Sequence, residues 1–303
     1  MREIGDIVRQ YEQDPRETYA LATLVRAHGS SYRRPGARML VTKDARAVGS
    51  LSGGCLEEEV IAKARQVVQS GTPAWMEFDT RRRFGCHGAL EIFVERASAP
   101  FLAQLADHYH ARRRATIATG FGRETTEPGT RFMSDEEAAA PDTLVQQLVP
   151  PVQLLIIGDG PDSGALQGFA QTLGWSVVQL ENATQLAGEY DSWTAAIVKT
   201  HNYGRDCAAL RALLPLDLPY IGLLGPRRRR DQLLGDVLDS GVAVGTNLFG
   251  PAGLDLGGDA PESIALAIVA EIQSVFAGGS TRPLRERRVP IHSPVAPEPV
   301  PGR

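Results

Sequence analysis

The chain has 303 residues, 43% of them hydrophobic and 22% charged, which supplies cores for two domains and excludes a disordered or fibrous chain. A formal net charge of −4 argues against nucleic acid as the main partner. The three cysteines, Cys55, Cys86 and Cys207, are too few for a disulfide framework; with no signal-peptide pattern at the N-terminus and no apolar run of roughly 18 residues, a cytoplasmic protein without membrane association is expected.

Ile4, Ile7, Val8 and Tyr11 recur at helical spacing, and Asp14-Pro15 ends the amphipathic helix they predict. Residues 19–26 read as a strand whose near-continuous apolar character predicts burial on both faces. The loop that follows, 27–38, carries Ser30, Ser31, Arg33, Arg34 and Arg38 with a Pro35-Gly36 turn, residue types suited to oxyanion or phosphate binding and equally common in a solvated hairpin.

After a strand at 39–42 comes Ser50-Leu51-Ser52-Gly53-Gly54-Cys55-Leu56-Glu57. Adjacent glycines permit positive φ and close approach to a ligand, and Leu56, Val60, Ile61, Ala64, Val67 and Val68 predict a helix. Cys55 is thereby expected at a helix N-terminus, where a thiolate is favoured and can act as ligand or nucleophile. The alternative is a tight turn with a small buried cysteine, Glu57 to Glu59 complementing the helix dipole. A second glycine-flanked cysteine, Gly85-Cys86-His87-Gly88, follows three arginines and a strand at 75–78, and it precedes a strand at 90–95. Cys55 and Cys86 could converge at one end of a single sheet; without CxxC or HxxxH spacing, structural zinc is not indicated.

A helix over 101–110 and a strand over 115–121 complete a first domain, 1–130. Acidic residues, alanines and prolines mark 131–151 as a linker. In the second domain, 152–278, the strand 152–157 runs into Gly158-Asp159-Gly160-Pro161-Asp162-Ser163-Gly164, then an apolar helix, then the strand 175–180 ending in Glu181. That context fits a Rossmann-like unit, although Ser163 displaces the third glycine and Asp159 places a carboxylate where a pyrophosphate would lie, so the pattern specifies the fold more strongly than NAD(P). The strand 195–199 ends in Thr200-His201-Asn202, a position at which open α/β sheets bind ligands. Strand 219–225 ends in Gly225, and Pro226 with Arg227 to Arg230 opens a helix whose cations oppose its dipole unless an anion or nearby carboxylates offset them. Residues 247–258 read as a loop, 264–276 as a final helix, and 279–303 as a mobile Pro/Arg-rich tail.

The segments 29–37, 49–57, 85–88, 200–202, 220–229 and 253–265, in that order, resemble the XdhC/CoxI family. The resemblance implies an α/β fold with an N-terminal XdhC-type domain and a C-terminal Rossmann-like parallel-sheet domain. It also implies an accessory chaperone that binds the molybdenum cofactor, as molybdopterin or its cytosine dinucleotide form, protects it during sulfuration with a cysteine desulfurase, and delivers it to an apo molybdenum hydroxylase of the xanthine dehydrogenase or aldehyde oxidoreductase type; a homodimer is the family-level expectation.

On this reading the binding residues are Ser30, Ser31, Arg33, Arg34, Ser52, Gly53, Gly54, Cys55, Glu57, Gly85, Cys86, Gly158, Gly160, Asp162, His201, Asn202, Gly225, Arg227 and Arg228. Cys55 and Cys86 lie at the molybdenum end. The phosphate end falls near Arg33, Arg34 or the Arg227-Arg228 helix start. His87, where the family often has glycine, is a departure. Two other classes stay open: an NAD(P)-dependent oxidoreductase using Gly158, Gly160 and Glu181, and a sulfur transferase carrying a persulfide on Cys55 or Cys86.

Overall fold

The structure is a computed structural model that describes residues 2–29, 31–79, 88–122, 128–134, 136–288 and 291. It divides into two compact units, Met1–Pro150 and Pro151–Arg303. No helix of the described residues is long and apolar enough to cross a membrane.

The first unit is built on an antiparallel five-stranded sheet ordered β3-β2-β1-β5-β4, from β1 (Ala20–Gly29), β2 (Arg38–Val41), β3 (Ala47–Gly49), β4 (Ala74–Asp79) and β5 (Gly88–Arg96). The alternation of side chains along β1 explains its continuous apolarity. Ala20, Ala22 and Leu24 join Val60, Ala64 and Val67 of α2 (Glu57–Ser70) in one core. Leu21 joins Ile4, Ile7 and Val8 of α1 (Arg2–Gln13) and Phe101, Leu102 and Leu105 of α3 (Ala99–His110) in another. The strand is thus covered on both faces, as its composition predicts, within an antiparallel sheet.

A three-stranded antiparallel sheet ordered β7-β6-β8 follows, from β6 (Ala115–Gly120), β7 (Gly129–Met133) and β8 (Thr143–Leu148). Two of these strands fall largely in 131–151, where composition suggested a linker. The polar side chains that hide them from a hydrophobic pattern have buried partners. Arg38, fully buried, donates to Gly36 O at 2.9 Å, to Thr119 Oγ1 at 3.3 Å and to Gln146 of β8. Buried Glu95 accepts from Thr130 N at 3.0 Å and Thr130 Oγ1 at 2.5 Å, and Thr130 meets Thr119 at 2.9 Å. Burial lowers the Arg38 pKa to about 10 and raises that of Glu95.

The second unit is an all-parallel sheet ordered β10-β9-β11-β12-β13: β9 (Gln153–Ile157), β10 (Ser176–Leu180), β11 (Thr194–Val198), β12 (Tyr220–Leu223) and the short β13 (Leu248–Phe249) inside the segment read as a loop. In chain order this is 2-1-3-4-5, a doubly wound arrangement with its switch point between β9 and β11. One face packs on α5 (Tyr203–Leu213) and α6 (Arg227–Asp239), the other on α4 (Ser163–Thr172) and α7 (Pro261–Ala277). In the expected tail, Leu284–Glu286 form a 3-10 turn; 289–290 and 292–303 lie outside the described residues.

Candidate functional site

Pairing fixes which loops share an edge of the first sheet. Gly29, the last residue of β1, pairs with Gly88, the first of β5, and Asp79 of β4 pairs with Ala89. Gly49, the last residue of β3, pairs with Met39 beside the start of β2. The ends of β1, β3 and β4 and the start of β5 therefore all lie at one edge. Three of the predicted site residues, Ser30, Gly85 and Cys86, lie outside the described residues, as does His87.

The turn that carries Cys55 is organised by Glu57. One carboxylate oxygen accepts from Ser50 Oγ at 3.0 Å, Leu51 N at 3.3 Å and Ser52 N at 2.9 Å; the other accepts from Ser52 Oγ at 2.7 Å and Leu56 N at 3.1 Å. Burial raises the carboxyl pKa, but these hydrogen bonds from Ser52, Leu56 and Ser50 outweigh it and hold the group at about 2. Leu51 and Leu56 are fully buried on either side of the turn, while Gly53, Gly54 and Cys55 between them are exposed. Gly54 has φ +108 with no atom within 4 Å of where a Cβ would stand. The Cys55 thiol donates to Ser52 Oγ at 3.5 Å. Glu57 thus spends its carboxylate on the turn itself, and the turn presents two glycines and a thiol outward.

The arginines of the preceding loop behave differently from one another. Arg33 is ion-paired with Glu3 of α1, which also accepts from Arg38 N at 2.5 Å. Ser31 Oγ donates to Arg33 O at 2.5 Å. Arg34 is exposed, and Tyr32, 76% exposed, lies 4.0 Å from a Cβ built on Gly53.

At the switch point of the second sheet, Gly158 has φ +101, and a Cβ there would stand 2.6 Å from the Lys199 carbonyl, so the turn after β9 and the end of β11 touch through glycine. Beneath Gly160, the fully buried Lys199 ammonium is 2.7 Å from Asp162 Oδ1 and donates to Ser163 Oγ at 2.7 Å. Sequence reasoning missed Lys199 as a site residue; a cation ending an otherwise apolar strand was its signal. Asp159 accepts from Gly160 N at 2.8 Å, and this bond, followed by one from Ser163, lowers its pKa. The carboxylate thereby occupies a backbone donor that a pyrophosphate would need.

His201 is left-handed at φ +55. Asn202 caps α5 by accepting from Arg205 N at 3.0 Å. Thr200 and Arg229 converge on buried Asp206, at 2.6 Å and 2.5 Å. An open groove of about 800 Å³ at the carboxyl ends of β9, β10 and β11 is bordered by Gly158, Asp159, Glu181 and Thr200. Further along the same edge, Gly225 has φ +136 and α6 starts without a capping side chain; Arg227 and Arg228 are exposed there, while Arg230 bonds Gly250 O at 2.6 Å and Asp231.

Comparison with known proteins places two sequence families on these units. The XdhC and CoxI family matches residues 13–79, and the XdhC Rossmann domain matches residues 154–272. A Bacillus subtilis protein described as a probable xanthine dehydrogenase subunit is 29% identical over 86% of this chain and 93% of its own length. The molybdenum cofactor insertion chaperone PaoD from Escherichia coli is 25% identical over 84% of this chain and 82% of its own. A crystal structure described as a xanthine dehydrogenase from Bacillus halodurans superposes with a TM-score of 0.76 at 23% identity, covering 93% of this chain and 99% of that one, and shares its fold.

Proposed function

We propose a function from one premise: the chain belongs to the XdhC and CoxI family, whose two sequence models between them cover more than half of it. Membership supports an accessory role to an enzyme of the xanthine dehydrogenase type. The finer reading is a carrier that binds the molybdenum cofactor as cargo, shields it while its sulfido ligand is installed by a cysteine desulfurase, and hands it to the apo-hydroxylase in the cytoplasm, acting as a homodimer.

The observation that carries this reading is the exposed Gly53-Gly54-Cys55 turn, hydrogen-bonded to Glu57 at the edge where β1 and β4 end and β5 begins. The residues fit such a cargo. A bulky, oxygen-rich, anionic ligand needs close backbone approach, which Gly53 and Gly54 allow, and a soft donor for its metal end, which Cys55 supplies. When bound, the cofactor brings a molybdenum centre and a pterin dithiolene. What this chain does is orient that end against the Cys55 thiol, with Ser52 beside it, and meet phosphate charge with Arg34 of the same unit. The related PaoD, named as a molybdenum cofactor insertion chaperone, supports the same assignment. A nicotinamide-dependent oxidoreductase is less well supported, because the Asp159 carboxylate already takes the Gly160 N–H.

The test is protein purified from cells that make the cofactor, with bound ligand released, oxidised and measured as pterin fluorescence beside a molybdenum assay. Near-stoichiometric pterin and molybdenum in the parent, and a fall of about tenfold in Cys55→Ala at unchanged melting temperature, are expected. A parent that carries neither, or a variant that carries as much as the parent, refutes the carrier role or the Cys55 contact respectively.

A further inference from the structure

The groove of about 800 Å³ at the switch point of the second sheet has two halves, and the chain treats them differently. In a dinucleotide site of this topology, amides of the turn after the first strand hold a pyrophosphate, and an acid at the end of the next strand holds a ribose.

The phosphate half is filled by the chain itself. Gly158 N donates to Leu180 O at 2.8 Å, Gly160 N to Asp159 Oδ1 at 2.8 Å and Ser163 N to Gly160 O at 3.0 Å, while Pro161 has no N–H to give. Ser163 stands in the place of the third glycine and is buried, with its Oγ accepting from Lys199 at 2.7 Å. Asp162, buried beside it against Lys199, is a second carboxylate at the same turn. A phosphate there would have to break the Asp159 bond and face both carboxylates.

The ribose half is open. Leu180 ends β10, and its carbonyl's bond to Gly158 N sets Glu181 one residue beyond the glycine turn. The Glu181 backbone is fixed, because its N–H donates to Gln185 Oε1 at 2.6 Å. Gln185 in turn lies in the 3-10 turn Ala183–Gln185, capped by Asn182, which accepts from Thr184 N at 2.9 Å. The Glu181 carboxylate borders the groove, is exposed, and has no hydrogen bond or ion pair among the described residues. Both of its oxygens are therefore available as acceptors, which matches the two adjacent hydroxyls of a ribose. The Gln185 NH₂ group, which Glu181 N does not engage, adds a donor at the same rim.

We infer that this groove takes a ribonucleoside, held by its 2′,3′-diol on Glu181, with no phosphate on the glycine turn. The ligand belongs to the second unit alone, so the inference stands apart from the carrier reading, which rests on the first.

The test is a calorimetric titration of the full chain with adenosine, cytidine, guanosine and uridine, with the 2′-deoxy form of each, and with NAD. At least one ribonucleoside is expected to saturate and to bind about tenfold or more tightly than its 2′-deoxy form, because a carboxylate placed for a hydroxyl loses a charge-assisted hydrogen bond without it. NAD is expected to bind within about threefold of adenosine. In Glu181→Ala, checked for an unchanged melting temperature, each ribonucleoside and its 2′-deoxy form are expected to bind within about threefold of each other. No saturable binding of any ribonucleoside, a preference over the 2′-deoxy form below about fivefold, or a preference untouched in Glu181→Ala each overturn the assignment. NAD binding more than about threefold tighter than adenosine also overturns it, since the pyrophosphate would then be seated on the turn. The parent titrations require no variant, so a misfolded Glu181→Ala does not blunt them. The carrier reading is decided separately, by the pterin and molybdenum assay.

Discussion

Replacing Glu57 by Gln keeps the side chain's shape and removes its charge. The amide retains one accepting oxygen and turns an NH₂ toward either Ser52 Oγ and Leu56 N or the Ser50, Leu51 and Ser52 donors, so at least one backbone N–H loses its partner. The wild-type carboxyl falls from an ordinary 4.5 to about 2, which at 1.36 kcal/mol per pH unit corresponds to about 3.4 kcal/mol at most. The group is partly exposed, and solvent screening cuts this by about half, to about 1.5–2 kcal/mol.

The pH dependence has a definite sign. A carboxyl depressed by folding contributes its full stability above the unfolded value near 4.5 and loses it as pH falls toward about 2. Urea unfolding should therefore show Glu57→Gln less stable by about 1.5–2 kcal/mol at pH 7, with the gap falling to under half by about pH 3. Hydrogen exchange at the amides of Leu51, Ser52 and Leu56 should quicken in step. Equal stability at pH 7, or a gap that ignores pH, would show that the carboxylate does not hold the turn.

Two further sets of substitutions probe the rest of the framework. Lys199→Met strands the buried Asp162 carboxylate and should cost about 3–5 kcal/mol, seen as a second-unit melting temperature lower by roughly 6 °C or more, while the double variant Lys199→Met/Asp162→Leu should recover part of it; a double variant no better than the single one would mean that the pair is not the source. Gly49→Ala and Gly54→Ala share a positive φ, at +88 and +108, but a Cβ on Gly49 would stand 2.2 Å from the Arg38 carbonyl whereas one on Gly54 meets nothing within 4 Å. In chemical denaturation Gly54→Ala should cost about 1–2 kcal/mol and Gly49→Ala clearly more; equal losses would place the strain in φ alone.

The strands of the second unit were legible because a parallel sheet buried on both faces writes itself as short apolar runs ended by glycine, as at 152–158 and 219–225. The strands β7 and β8 were not, because Thr130 and Gln146 are polar residues whose partners, Glu95 and Arg38, lie far away in the chain. A hydrophobic pattern cannot register a strand whose interior contacts are hydrogen bonds. The same distance hid the pairing of Arg33 with Glu3, which leaves an arginine singled out for anions already engaged. Cys55 was found through its glycines, which are local; the five bonds to Glu57 are local too, yet helix-dipole reasoning explained that residue without them.

The glycine turns of the two units share a design that bears on what each can bind. In each, a carboxylate of the chain sits on backbone N–H groups that an anionic ligand would otherwise take: Glu57 on Leu51, Ser52 and Leu56, and Asp159 on Gly160. A turn satisfied in this way needs no ligand to order it, so a ligand arriving there spends little of its binding free energy on folding the loop. It also repels phosphate from the turn's own amides, which moves recognition outward to side chains. In the first unit the exposed groups are the Cys55 thiol and the open Gly53-Gly54 surface, which on the proposed function meet the metal-bearing end of the cargo. In the second the exposed side chains at that edge include Arg227 and Arg228, at a helix start with no capping side chain. Both carboxylates have depressed pKa values, so the exclusion holds at neutral pH.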